Sequence, residues 1–188
     1  MSTPRALIII FSVWLLASSA SAAGAPVSES IAIQQRNGAY ELTVPVSMLE
    51  VIIPRGDLVL ENSPRGTGET PRYFYLESNA DALVISGWFE PAERFSGIRE
   101  FWDGEIRTWR EKGLPAPQAV SFAKISDWEA VLYDMALPFG SNSHIRAHWV
   151  QAGTWIDLHL SITSDLTIAE NRAKLKRILK SVSVRLKE

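Results

Sequence analysis

Between His144 and Thr163, apolar and polar residues alternate with a period of two on either side of Ala152-Gly153, the pattern of two long strands joined by a tight turn. Pairing Gln151 with Thr154 sets Trp149 against Ile156, Ala147 against Leu158 and Ile145 against Leu160, so one face of the hairpin is wholly apolar. The other face then carries His148 opposite Asp157, Arg146 opposite His159 and His144 opposite Ser161. All three histidines of the chain fall on it. A three-residue loop would shift the register by one, setting Ala147 against Asp157 and Ile145 against His159. Such mixed pairs are the poorer choice, so the two-residue register is predicted.

The same reading along the chain predicts further strands. Tyr40, Leu42, Val44 and Val46 alternate with polar residues, and Pro45 in that run suggests an edge strand. Leu49 to Ile53 and Leu58 to Glu61 are short strands around the turn Pro54-Arg55-Gly56-Asp57. Ser63 to Pro71 is rich in Pro, Gly and Thr and reads as a surface loop. Arg72 to Glu77 and Ala82 to Phe89 make a hairpin around Asn79-Ala80-Asp81, and Ala119 to Ile125 with Trp128 to Ala136 a second around Ser126-Asp127. Pro138 to Asn142 reads as a loop.

Two stretches switch to helical spacing. From Pro91 to Gly113, Phe95, Ile98, Trp102, Ile106 and Trp109 step by three and four onto one stripe, with Gly113 and Pro115 as the stop. Trp102 and Trp109 are read as packing anchors of that stripe. Later, Thr167 and Glu170 have capping-box spacing, followed by a buried stripe of Ile168, Leu175, Ile178, Leu179 and Val182. Arg172, Lys174, Lys176, Arg177 and Lys180 are assigned to the outer, solvated face, with Arg185 and Lys187 following.

Residues 1–22 change the picture of where the chain works. Arg5, the apolar run Ala6 to Ala17 and Ala20-Ser21-Ala22 have the form of a secretory signal peptide, cleaved near Ala22. The expected product is periplasmic or extracellular, with a flexible leader over residues 23–38 and a single domain over 39–188. There is no cysteine, hence no disulfide and no lipid-anchor cysteine. No later segment reaches the roughly 20 apolar residues of a membrane-spanning helix. Removal of the signal peptide takes away one cation and leaves 18 basic against 21 acidic residues. That balance argues against nucleic acid as a partner, because nucleic acid needs a basic footprint.

Strands in hairpins and two amphipathic helices predict an α+β domain, a mostly antiparallel sheet flanked by the helices. The layout, with Gly87-Trp88-Phe89 leading into the first helix, the His144 to Thr163 hairpin and an Asn171 to Val184 segment ending in Ile178-Leu179-Lys180-Ser181-Val182, resembles the PsbP-like fold. That group comprises extrinsic photosystem PsbP proteins and exported bacterial relatives. The resemblance implies an α/β/α sandwich and a binding or assembly role, and no functional residue is carried over from it.

The candidate binding face is His144, Arg146, His148, Asp157 and His159. Its simplest reading is a polar sheet surface through which, or through the Ser63 to Pro71 loop, an exported, non-catalytic binding or accessory module meets an envelope protein or a small ligand, without a cofactor. Because imidazole titrates between pH 6 and 7, such binding would depend on pH. A metal site from His148, Asp157 and His159 is the first alternative, since direct cross-strand partners lie about 5 Å apart and diagonal ones about 7 to 8 Å. Arg146 opposes it: a cation about 8 Å from a divalent ion costs roughly 4 kcal/mol at an effective dielectric of 20. A hydrolase is the second alternative, with His148 and Asp157 as base and orienter. Ser141, Ser143 and Ser161 lack the Gly-x-Ser-x-Gly elbow. Glu90, Glu93, Asp103, Glu105, Asp127, Glu129 and Asp134 could contain a glycosidase pair, with no separation fixed by sequence.

Overall fold

A computed structural model describes residues 31–44, 47–61, 73–137 and 141–187. The signal peptide expected over residues 1–22, Pro45 and the Ser63 to Pro71 loop lie outside them. The long hairpin forms as strands β9 (Ser141–Gln151) and β10 (Thr154–Ser164), in the predicted register from Gln151 opposite Thr154 to His144 opposite Ser161. Ala152 and Gly153 both take positive φ, 47° and 71°, as a two-residue turn of the mirror-image type requires. Strand β9 already begins at Ser141, so Asn142 belongs to the ladder and not to the loop expected there.

The hairpin sits inside a seven-stranded antiparallel sheet. On one side β10 pairs with β6 (Leu83–Pro91), then β5 (Tyr73–Ser78) and β4 (Val59–Leu60). On the other, β9 pairs with β8 (Trp128–Ala136) and then β7 (Gln118–Ile125). The remaining strands, β1 (Ala32–Arg36), β2 (Ala39–Thr43), β3 (Leu49–Pro54) and β11 (Ser183–Leu186), form a separate four-stranded sheet. Helix α1 (Ile98–Glu111) covers one face of the large sheet. Helix α2 (Ile168–Ser181) and the small sheet share its other face, so the chain is α+β with a helix on either side and a second sheet within one outer layer.

Period two in the strands explains this layering. Ile145, Ala147, Ile156, Leu158 and Leu160 point into the main core with Leu76, Ile85 and Leu132. There they meet Leu42, Val51 and Ile53 of the small sheet and Leu175 and Leu179 of α2. Strand β8 is apolar on both faces, because Val131 and Tyr133 look the other way and pack beneath Trp102 and Trp109. Those two tryptophans are the anchors the spacing predicted.

Four expectations change. Residues 32–36, placed in a flexible leader, form β1 and pair with β2 across Asn37-Gly38, both at positive φ. Asn-Gly is the strongest short hairpin signal, because both of its residues tolerate the positive φ this turn requires. Strand β2 is bonded on both sides and ends at Thr43, before Pro45, so it is no edge strand. The chain does not end in helix: Val182 turns extended and β11 pairs with β3. Ile168, assigned to the buried stripe of α2, is exposed in the first turn, while Asn171 is buried there instead.

The helix ends follow local chemistry. Thr167 accepts from the Glu170 N–H while the Glu170 carboxylate takes the Thr167 N–H, a complete capping box. At the far end of α1, Leu114 N–H reaches Trp109 O at 3.0 Å and Gly113 N–H reaches Arg110 O at 3.1 Å, the paired closure that needs Gly113 at φ 64°. Gly87 is required for a different reason. It lies between Phe74 and Leu158, and a Cβ there would run into the Phe74 ring and come within 2.7 Å of Leu158 Cδ2. Gly87→Ala is expected to cost about 1 to 3 kcal/mol by overpacking, measured by urea unfolding. An unchanged midpoint would mean that Phe74 does not lie over this position.

Candidate functional site

The five residues of the candidate face share one side of the β9–β10 hairpin, as predicted, but this side is not a surface. Helix α1 and Phe95 close over it. His148 is 1% exposed, and Asp157 is 7% exposed. The sequence expectation of a solvated polar sheet is therefore corrected. The cause is the Trp102 and Trp109 stripe of α1, which can be buried only against Val131 and Tyr133, on the same side as the histidines.

Within the covered face the charges arrange themselves diagonally. Arg146 does not engage His159 opposite it; its guanidinium forks onto Asp157, with Nε donating to Oδ1 at 3.1 Å and Nη2 to Oδ2. Such a bidentate pair fixes geometry as well as charge. Glu105 of α1, 6% exposed, approaches the same cation, with Oε2 4.0 Å from Nη1. The Phe101 ring lies beneath the guanidinium at 5.0 Å. Burial would by itself lower the Arg146 pKa. Asp157 and then Glu105 outweigh it and hold the side chain more firmly charged than usual. Burial raises the Glu105 carboxyl above its ordinary range, against the pull of Arg146.

The imidazoles form two groups. His148 lies between Phe95, 5.2 Å away, and Phe101, 4.3 Å away, and its Nδ1 accepts the Trp155 indole N–H at 3.0 Å. The proton of the neutral ring therefore resides on Nε2, which has no hydrogen-bond partner among the described residues. His144 and His159 meet diagonally across the strands, with Nδ1 and Nε2 3.0 Å apart. Their rings are parallel within 5° and their centroids 5.2 Å apart, so the nitrogen contact spans most of the separation and the rings join edge to edge. Asn142 donates to Thr163 and turns its carbonyl to His144 Nε2. That places a proton on His144 Nε2, leaves Nδ1 as acceptor, and makes His159 Nε2 the donor. Tyr133 stacks on His144 at 4.7 Å.

Burial lowers the pKa of His144 and of His148 from the ordinary 6.5 to about 4, opposed by Asp134 and Asp157 respectively and reinforced by Arg146. His159 falls well below 6.5, through burial first and then through His144 and Arg146. The titration expected between pH 6 and 7 is thus moved toward acid. The unfolded chain takes up protons on these rings below about pH 6.5, whereas the folded chain does so on His144 and His148 only near 4 and on His159 only well below 6.5. Their contribution to stability is complete above the unfolded value and is lost as pH falls through this window. The slope approaches about 1.4 kcal/mol per pH unit per histidine. Glu105, with its pKa raised on folding, binds protons preferentially in the folded state and offsets part of the loss. Urea unfolding from pH 8 to 4, with imidazole signals followed by NMR, is expected to show this fall. A flat profile with titration near 6.5 would mean that the rings are solvated.

This geometry bears on both alternatives. The donors proposed for a metal, His148, Asp157 and His159, are engaged separately by Trp155, Arg146 and His144. Among the described residues no group of three His, Asp or Glu side chains is arranged to hold a metal ion. For a hydrolase, His148 Nδ1 stands 3.8 Å from Asp157 Oδ1 and is already an acceptor. Ser143 lies on the opposite face and donates to Asp134 at 2.7 Å. Glu105 and Asp157 are a carboxyl pair, yet Arg146 occupies the space between them where a glycoside would have to sit.

Glu105 itself could have been found from sequence. It lies three residues after Trp102 and four before Trp109, a carboxylate on the buried stripe. The other half of the sheet face, beside α1, is only half-buried. Tyr73 and Trp88 pair there edge to face, with centroids 5.6 Å apart, and the Arg146 side chain keeps 22% of its surface.

No family model matches the chain, and no curated protein does. Among solved structures, the chain is similar to a crystal structure from Bacteroides thetaiotaomicron VPI-5482, at a TM-score of 0.40 and 9% identity. The match covers 73% of this chain and 45% of that one. The chain therefore spans less than half of that protein, and a likeness of this degree carries no argument. No helix among the described residues is long and apolar enough to cross a membrane.

Proposed function

We propose that this chain is an exported, non-catalytic binding or accessory module of the cell envelope, of the PsbP-like kind in layout. One observation carries the non-catalytic reading: the groups able to do chemistry neutralise one another beneath α1. Asp157 is held by Arg146, His148 by Trp155 and His144 by His159. Groups engaged in this way fix a surface and do not leave a base or nucleophile ready for substrate, the protonated His148 Nε2 alone lacking a partner among the described residues of this set. Contact with an envelope protein is made through the half-buried strip beside α1, where Tyr73 and Trp88 flank the accessible edge of Arg146. Aromatic side chains and arginine next to a rigid sheet are what binding centres use.

The test is photo-crosslinking in intact envelopes. A reactive group replacing Tyr73 is expected to capture a discrete partner, and one replacing Lys176, exposed on α2 across the molecule, to capture none. Capture from both positions, or only from 176, would remove the assignment of the surface. A hydrolytic activity lost in His148→Gln would remove the non-catalytic reading.

A further inference from the structure

A cleft lies far from the histidines, where the edges of the two sheets stop short of each other. Its walls are β1 of the small sheet, through Ile33 and Gln35, and β4 of the large sheet, through Val59 and Leu60. Tyr40 forms its floor, and Arg55 enters from the turn between β3 and β4. The volume is about 290 Å³, near the lower bound of small-molecule sites. The walls are held in place independently of any ligand. Tyr40 OH donates to Leu58 O at 3.0 Å, Arg55 N–H to Gly38 O at 2.8 Å and Leu58 N–H to Arg55 O at 2.8 Å.

The lining is asymmetric. Isoleucine, valine, leucine and the tyrosine ring supply one apolar trough, and Gln35 and Arg55 supply the polar end. Arg55 is exposed and makes no ion pair among the described residues, and the described residues lining the cleft include no carboxylate. A guanidinium without an ion-pair partner among the described residues, carried on a hydrogen-bonded turn beside an apolar trough, complements one chemistry, an aliphatic tail with an anionic head. At roughly 30 Å³ for each water-sized group, the space accepts on the order of ten non-hydrogen atoms.

We propose that this cleft binds a medium-chain aliphatic carboxylate, tail between β1 and β4 and head on Arg55. This site is separate from the sheet face beside α1, so it stands or falls without that reading. Decanoate titrated calorimetrically into the purified chain is expected to bind saturably at one site. Decylamine, equal in tail and opposite in charge, is expected to bind at least tenfold more weakly. Arg55→Gln should weaken decanoate about tenfold while leaving the melting temperature in place, since Arg55 is exposed and only its backbone is used in the fold. Ile33→Trp, which fills the trough, should abolish binding. No saturable binding of decanoate, equal binding of decylamine, or undiminished binding by Arg55→Gln would each overturn the proposal. Where Ile33→Trp lowers the melting temperature, the Arg55 and decylamine comparisons decide alone.

Discussion

Arg146→Met is expected to destabilise the chain by about 3 to 5 kcal/mol, because it leaves two buried carboxylates facing one lost cation. Asp157 and Glu105 are both nearly sealed from water, and the guanidinium between them is what each of them faces. Methionine keeps much of the apolar stem over Phe101 but none of the charge. The size of the effect should depend on pH. Burial already raises the Glu105 carboxyl and Arg146 opposes it, so without Arg146 Glu105 gains a proton more readily on folding and the difference from wild type should narrow between pH 8 and 5. Adding Asp157→Asn and Glu105→Gln to the variant is expected to return a substantial part of the loss, since neutral amides do not need the cation. Urea unfolding of the three proteins, wild type, single variant and triple variant, checks this. A loss below about 1 kcal/mol would match an exposed ion pair and would mean that α1 does not seal this face.

Asp134→Ala is the second large effect, also about 3 to 5 kcal/mol. Asp134 points to the other face of β8, is 3% exposed, and accepts three hydrogen bonds from two partners. Ser143 donates to Oδ1 at 2.7 Å, and Arg172 of α2 donates through Nη2 to Oδ2 at 2.6 Å and through Nε to Oδ1 at 3.4 Å. Arg172 also reaches the Ala119 carbonyl at 2.6 Å, so one side chain fastens α2 to both β7 and β8. Removing the carboxylate strands the guanidinium and the serine. Combining Asp134→Ala with Arg172→Met is expected to cost less than the sum of the two single changes, by about 0.5 to 3 kcal/mol. Strict additivity in a double-mutant cycle would show that the two side chains act separately.

Arg172 also shows where sequence reasoning stops. Its position among Lys174, Lys176, Arg177 and Lys180 assigned it to a solvated basic face, yet it turns inward to Asp134. Lys174 pairs with Asp81 at 2.6 Å, and Arg185 with Glu50. Charge periodicity along a helix says that a residue is polar. It does not say which distant strand brings a carboxylate to it. The same limit applied to the histidines. Their diagonal partners, Arg146 with Asp157 and His144 with His159, were within reach of the predicted register, but the choice among partners depended on what covered them. The apolar run Val131 to Tyr133 in β8 is the sequence signal that both faces of the sheet are buried there.

The sequence alone determined the hairpin register, the gathering of every histidine on one of its faces, the capping box at Thr167 and the helix stop at Gly113. These rest on periods of two and 3.6 and on hydrogen bonds within a few residues, so neighbouring side chains suffice to specify them. Only the tertiary structure decided which face of the sheet meets water. That outcome depends on where α1, ending thirty positions before the hairpin in the chain, finds apolar surface for Trp102 and Trp109. It found it on the side that carries the charges, and the burial of that side set the partners, the protonation and the acid sensitivity of the imidazoles.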